Sequence, residues 1–172
     1  MRWSQIRKQV REFICPELRA IVDFHVTGYR KAHDDVGEAW ITVDGNKVFG
    51  AGFYKWWNAF GKLCASRDCL EPQSINNSGF ATFSKLYRDT EQNLQNQGLY
   101  ATDHLICALT DYLNMSLNDA IESKNHLTRA IAMLDRRLGK RRFSKVIIRE
   151  SDLPIVKLFY QMRAVVISSD VV

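Results

Sequence analysis

A chain of 172 residues with 46% hydrophobic and 25% charged side chains has the material for one packed domain, or two small ones sharing an interface. That composition excludes a fibrous or disordered class, and the four Trp, six Tyr and nine Phe supply large side chains for a core. The formal net charge of +5 is compatible with an anionic partner, although an excess of this size commonly serves solubility alone.

The apolar residues between Met1 and Ile14 are interrupted by Arg7, Lys8, Arg11 and Glu12, so no export signal is read there. No window approaches the roughly 18 apolar residues of a membrane span. The expectation is a soluble cytoplasmic protein with no membrane contact and no cofactor. In a reducing compartment Cys15, Cys64, Cys69 and Cys107 are expected to be free thiols.

Ile6, Val10, Phe13 and Ile14 recur at helical spacing behind Ser4, a suitable N-cap, and Pro16 stops that helix. From Ala20 the period becomes two: Val22, Phe24 and Val26 point one way, Asp23, His25 and Thr27 the other. After a polar stretch over Lys31 to Glu38, Ala39 to Val43 reads as a second strand. Asp44-Gly45-Asn46 is a tight-turn signature, and Lys47 to Gly50 follows as a third strand. Phe53, Trp56, Trp57, Phe60 and Leu63 then mark an amphipathic helix whose stripe is expected to cover one sheet face, shared with the first helix.

Leu70 to Gly79 has the Pro, Asn, Ser and Gly content of a connector. Beyond it, Phe83, Leu86, Tyr87, Thr90 and Leu94 outline one helix, broken at Gly98, and Leu105, Ile106, Leu109, Tyr112 and Leu113 another. A third starts near Ser116, and a fourth runs from Leu127 to Leu138. Phe143 to Ile148 suits either strand or helix, and Asp152 is placed to cap a last helix with Pro154 in its first turn. The fold class is therefore α+β: an N-terminal helix, a three-stranded antiparallel meander and a helix, followed by a mostly helical C-terminal half. The units are 1–69, a connector at 70–80, and 81–172, packed separately or together.

Several constellations could carry chemistry. The order helix, meander, helix is that of double-stranded RNA-binding domains, with Gly50 to Lys55 resembling their glycine-rich helix entry. Only Lys55 is available there to reach phosphate, so a sheet covered by two helices is the simpler reading. Leu113 to Ile121 resembles the corner of a helix-turn-helix, but Asp119 and Glu122 on its outward face would be repelled by a duplex. Cys64, Cys69, His104 and Cys107 have ligand chemistry and spacing for a metal, against which stands the ordinary burial of free cysteine as a small hydrophobe. His25, His33, Asp34 and Asp35 could form a general-base or metal cluster, while a polar strand face and a charged turn are also what solvent exposure requires. Arg136 to Arg142 is the densest basic run; Arg136 and Arg137 suit a helix C-terminus, leaving Lys140, Arg141 and Arg142 as anion-binding candidates.

Three stretches together carry a resemblance: Met1-Arg-Trp-Ser with Cys15-Pro16; the hairpin His25-Val-Thr-Gly-Tyr-Arg through Trp40-Ile-Thr-Val-Asp-Gly; and Met133-Leu-Asp-Arg-Arg-Leu-Gly-Lys-Arg-Arg142 with Phe159-Tyr-Gln-Met-Arg163. They resemble a family of short, uncharacterised bacterial proteins along most of the chain. The resemblance implies no activity and assigns no residue a role. The leading expectation is a non-catalytic binding or adaptor protein with a nucleic-acid or acidic protein partner, contacted through His25, Tyr29, Arg30, Lys140, Arg141 and Arg142. The rival is a small metal-dependent hydrolase or nuclease using His25, His33, Asp34 and Asp35.

Overall fold

The computed structural model describes residues 2–28, 37–65 and 77–169. Helix α1 (Trp3–Phe13) buries Ile6 and Val10, which lie one turn apart on its inner face. It starts ahead of Ser4, with Arg2 as N-cap and the Gln5 side chain accepting the Arg2 backbone N–H at 3.2 Å. Pro16 ends that run and at once opens a single turn, α2 (Pro16–Arg19), because a proline ring is tolerated where a helix has no use for the N–H.

Strands β1 (Val22–Gly28), β2 (Gly37–Val43) and β3 (Asn46–Gly52) form the expected antiparallel meander in the order β1-β2-β3. The period of two sets the register: Val22 faces Val43, His25 faces Trp40 and Gly28 faces Gly37. Val22, Phe24, Ala39, Ile41 and Ala51 are buried on the inner face. Both central residues of the β2–β3 turn take positive φ, Asp44 at 51° and Gly45 at 77°, the backbone that matches strand twist in a two-residue hairpin.

Seven helices follow among the described residues: α3 (Phe53–Ala65), α4 (Asn77–Asn96), α5 (Thr102–Asn114), α6 (Leu117–Glu122), α7 (His126–Met133), α8 (Lys140–Phe143) and α9 (Pro154–Ser169). The mostly helical C-terminal half is thus present, and none of these helices is long and apolar enough to cross a membrane.

The tryptophan helix does not cover the sheet as expected. Trp56, Phe60 and Cys64 of α3 pack with Leu94 and Ala101 into a small cluster of their own. The inner sheet face is instead met by α1 and by α5, whose Leu105, Ala108 and Leu109 are fully buried. An apolar stripe states that a helix face is buried but not against which partner. The larger core draws on both halves of the chain, from Ile6 and Phe24 to Leu127, Ile131 and Phe159.

Three local expectations also change. Helix α7 ends at Met133, because Asp135 turns inward and the backbone near it pairs with the end of α1: Arg136 N–H donates to Phe13 C=O at 2.7 Å and Cys15 N–H to Leu134 C=O at 2.8 Å. The ambiguous segment after Phe143 is neither strand nor helix. Asp152 does not cap α9; it accepts the Arg129 guanidinium, its side chain and that of Arg129 both about 1% exposed. The α5–α6 corner is closed by Ser116, whose Oγ accepts the Asp119 N–H, and it buries Leu117, Ala120 and Ile121.

Candidate functional site

The amphipathic spacing of α1 that buries Ile6 and Val10 leaves Arg7, Lys8 and Arg11 on the outer side. With Trp3, Ser4, Glu12 and Arg19 they line an open groove of about 420 Å³. Asp23, on the outward face of β1, fastens two of these cations: Arg7 Nε donates to Oδ1 at 3.0 Å and the Arg11 guanidinium lies 2.8 Å from the same oxygen. Arg11 also donates to the Arg19 C=O at 3.0 Å, and Arg19 to the carbonyls of Ile14 and Glu12. Three cations, Arg7, Arg11 and Arg19, are therefore presented with much of their rotamer freedom already removed.

Burial pushes the Asp23 carboxyl up, but hydrogen bonds from Arg7, the Phe24 N–H and Arg11, with the attraction of Arg11, outweigh it and hold the group at about 2. A depressed carboxyl stabilises the fold where it is ionised. That stability is present above pH about 4 and lost as pH falls through about 2, and with half-exposed arginines it amounts to about 1–2 kcal/mol. Urea midpoints measured between these pH values should fall in the parent and stay flatter in Asp23→Asn.

The basic run leaves the far end of α1. Arg136, Lys140, Arg141, Arg142 and Lys145 are all exposed, and none of them makes an ion pair with a described residue. Arg137 is the exception: it pairs with the buried Asp135 at 2.6 Å and lies over the Phe13 ring. Lys140 to Arg142 form the surface turn α8 and do not belong to a longer helix.

A second concavity, of about 400 Å³, opens between the Gly28–Gly37 end of the β1–β2 pair and helices α3, α4 and α5. Its lining includes Phe53, Trp56, Trp57, Tyr87, Glu91, Asp103 and His104. Thr102 Oγ1 donates to the Gly37 C=O at 2.5 Å, tying the α5 N-terminus to the sheet. A side chain at Gly37 would meet the Thr27 carbonyl oxygen at 2.0 Å, so glycine is required where β2 starts against the end of β1.

Of the residues singled out in the sequence, His25 stacks on Trp40 with ring centroids 5.1 Å apart and bonds Thr42 Oγ1 through Nε2 at 3.0 Å. His25 and Arg141 line neither concavity. Tyr29, Arg30, His33, Asp34, Asp35 and Cys69 lie outside the described residues. Of the four residues with metal-ligand chemistry, Cys64 is buried in the α3 cluster and Cys107 is exposed on α5. His104 has both nitrogens engaged, Nδ1 by the Ala101 N–H at 3.1 Å and Nε2 by Glu91 at 2.9 Å. Among the described residues no three potential ligands gather at one point.

Residues 2–164 match the model of the SF0329 protein family. The chain belongs to that family. No curated protein and no solved structure matches it. Membership agrees with the resemblance to an uncharacterised family and lends no residue of this SF0329 family member a role, so its sites rest on geometry. The groove was partly visible in the sequence, as Arg7 and Arg11 one turn apart on the polar side of a helix. Nothing local signals that Asp23, 16 residues beyond Arg7, would fasten both. Nor does spacing bring Glu91 to His104, 13 residues on, or either to Trp57.

Proposed function

We propose that this protein is a non-catalytic binding or adaptor protein of the cytoplasm that engages nucleic acid through the α1 groove and the exposed basic run. The observation that carries the reading is the pair Arg7 and Arg11, fastened by one carboxylate in an open groove beside Lys8, Arg19 and Trp3. Guanidiniums already positioned lose less freedom when they meet phosphate, and an adjoining indole supplies a face on which a base stacks. The exposed cations Arg136, Lys140, Arg141, Arg142 and Lys145 add a sequence-independent contact at the other end of the helix. The hydrolase alternative has less support: His25 is stacked and hydrogen-bonded on the strand, with no described carboxylate as its partner.

Anisotropy of a labelled single-stranded oligonucleotide titrated with the full chain tests this. Binding is expected near 50 mM salt, falling by roughly tenfold or more by about 200 mM as condensed counterions cease to favour release. Lys8→Glu combined with Arg141→Glu leaves the Asp23 clamp intact and should weaken binding by at least about tenfold. No binding at low salt removes the nucleic-acid reading, and binding of polyglutamate alone would make the partner an acidic protein.

A further inference from the structure

We infer that the cleft between the Gly28–Gly37 end of the sheet and helices α3, α4 and α5 is a binding site for a small organic cation bearing an alkylated ammonium group. The site lies apart from the basic groove and has the opposite charge, so it stands or falls independently of nucleic-acid binding.

Charge is the first argument. In a chain of net charge +5, the described lining of the cleft carries the carboxylates of Glu91 and Asp103 and, among the described residues, no lysine or arginine. His104 adds no positive charge: its Nδ1 accepts the Ala101 N–H, so that nitrogen carries no proton, and its remaining N–H donates to Glu91. The imidazole therefore acts as a fixed neutral donor that orients the Glu91 carboxylate, and it has no nitrogen left over for proton transfer. Anionic ligands are repelled by this lining.

Shape and surface are the second. Trp57 is 51% exposed at the rim yet stacks on Phe53 with centroids 5.8 Å apart and planes 12° from parallel. Beneath it, Trp56 packs edge-to-face with His104 at 5.4 Å. With Tyr87 on the facing helix, the walls are aromatic while the carboxylates supply charge. An ammonium with alkyl substituents gains from both, because its diffuse charge lies well against an aromatic face and its methyl groups are not strongly hydrated. A bare metal ion gains from neither, since no three ligands converge among the described residues. The volume of about 400 Å³ suits a small molecule.

The test is a titration of the isotope-labelled full chain with choline, followed through the indole N–H resonances of its four tryptophans. Saturable shifts are expected at Trp56 and Trp57, with Trp3 and Trp40 unmoved. The neutral carbon isostere of choline should bind at least about tenfold more weakly, as should choline to Trp57→Leu and to Glu91→Gln. Circular dichroism of each variant checks that the fold is kept, and Glu91→Gln retains an acceptor for His104 if the tryptophan variant does not fold. Failure of choline to produce a saturable shift at millimolar concentration, equal binding of the neutral isostere, or shifts spread over all four indoles would overturn the assignment.

Discussion

Replacing Arg129 with methionine is expected to destabilise the fold by about 3–5 kcal/mol, read as a lowered urea midpoint. Arg129 is about 1% exposed, and its guanidinium donates to Asp152, to the Ile121 C=O and, at 2.5 Å, to the Ile147 C=O. One side chain thus joins α7 to the end of α6 and to the segment leading into α9. Methionine fills much of the space but leaves the Asp152 carboxylate buried, with the Arg149 N–H at 2.8 Å as its remaining close donor.

An uncompensated buried carboxylate has its folded pKa raised, so its destabilising effect grows as pH rises through that value. Arg129→Met should therefore recover part of its loss on acidification toward about pH 5, while the parent does not gain. The double variant Arg129→Met with Asp152→Leu should lose less than Arg129→Met alone, because the isolated charge is gone. A single variant within about 1 kcal/mol of the parent would show that Arg129 is not a structural hub.

Asp135→Ala is expected to cost about 2–4 kcal/mol, because it leaves several donors without an acceptor. The Asp135 carboxylate is fully buried and accepts the Tyr112 hydroxyl, the Arg137 N–H at 2.7 Å and the Arg137 guanidinium. Burial pushes the Tyr112 hydroxyl far above its ordinary range, and the adjacent Asp135 pushes it further, so it stays a donor at any working pH. Tyr112→Phe removes one of these bonds and leaves Asp135 paired with Arg137, so a smaller loss of about 1–2 kcal/mol is expected. A double-mutant cycle should return a coupling above about 0.5 kcal/mol; additive losses would mean that the two side chains do not act together. Asp135 also sits at the junction where Ile14 pairs with it in an isolated bridge. Asp135→Ala should therefore loosen the hold of the basic run on α1, and weaker oligonucleotide binding by this variant would connect that junction to the proposed surface.

The two candidate surfaces make separable claims. Lys8 and Arg141 are exposed and uninvolved in the Asp23 clamp, so their reversal tests charge without touching packing. Trp57 and Glu91 belong to the other concavity, lined by none of the groove residues. Loss of one binding activity with retention of the other is the expected behaviour of each variant set.

The α+β class and the order of elements are legible along the chain, because local period and turn chemistry depend on neighbours. Alternation over Val22 to Thr27 decides which side chains of β1 face inward, Asp44-Gly45 supplies the positive φ of a tight hairpin, and Pro16 ends α1. Which partner each apolar stripe meets depends on how the helices pack, and the tryptophan helix joined α4 while α5 took the sheet. The same holds for the polar pairs that matter most. Arg129 with Asp152 and Tyr112 with Asp135 each span 23 residues, and Arg7 with Asp23 spans 16. Their sequence surroundings read as ordinary charges on helices and turns, since pairing at that range depends on how the core packs and leaves no local period to read.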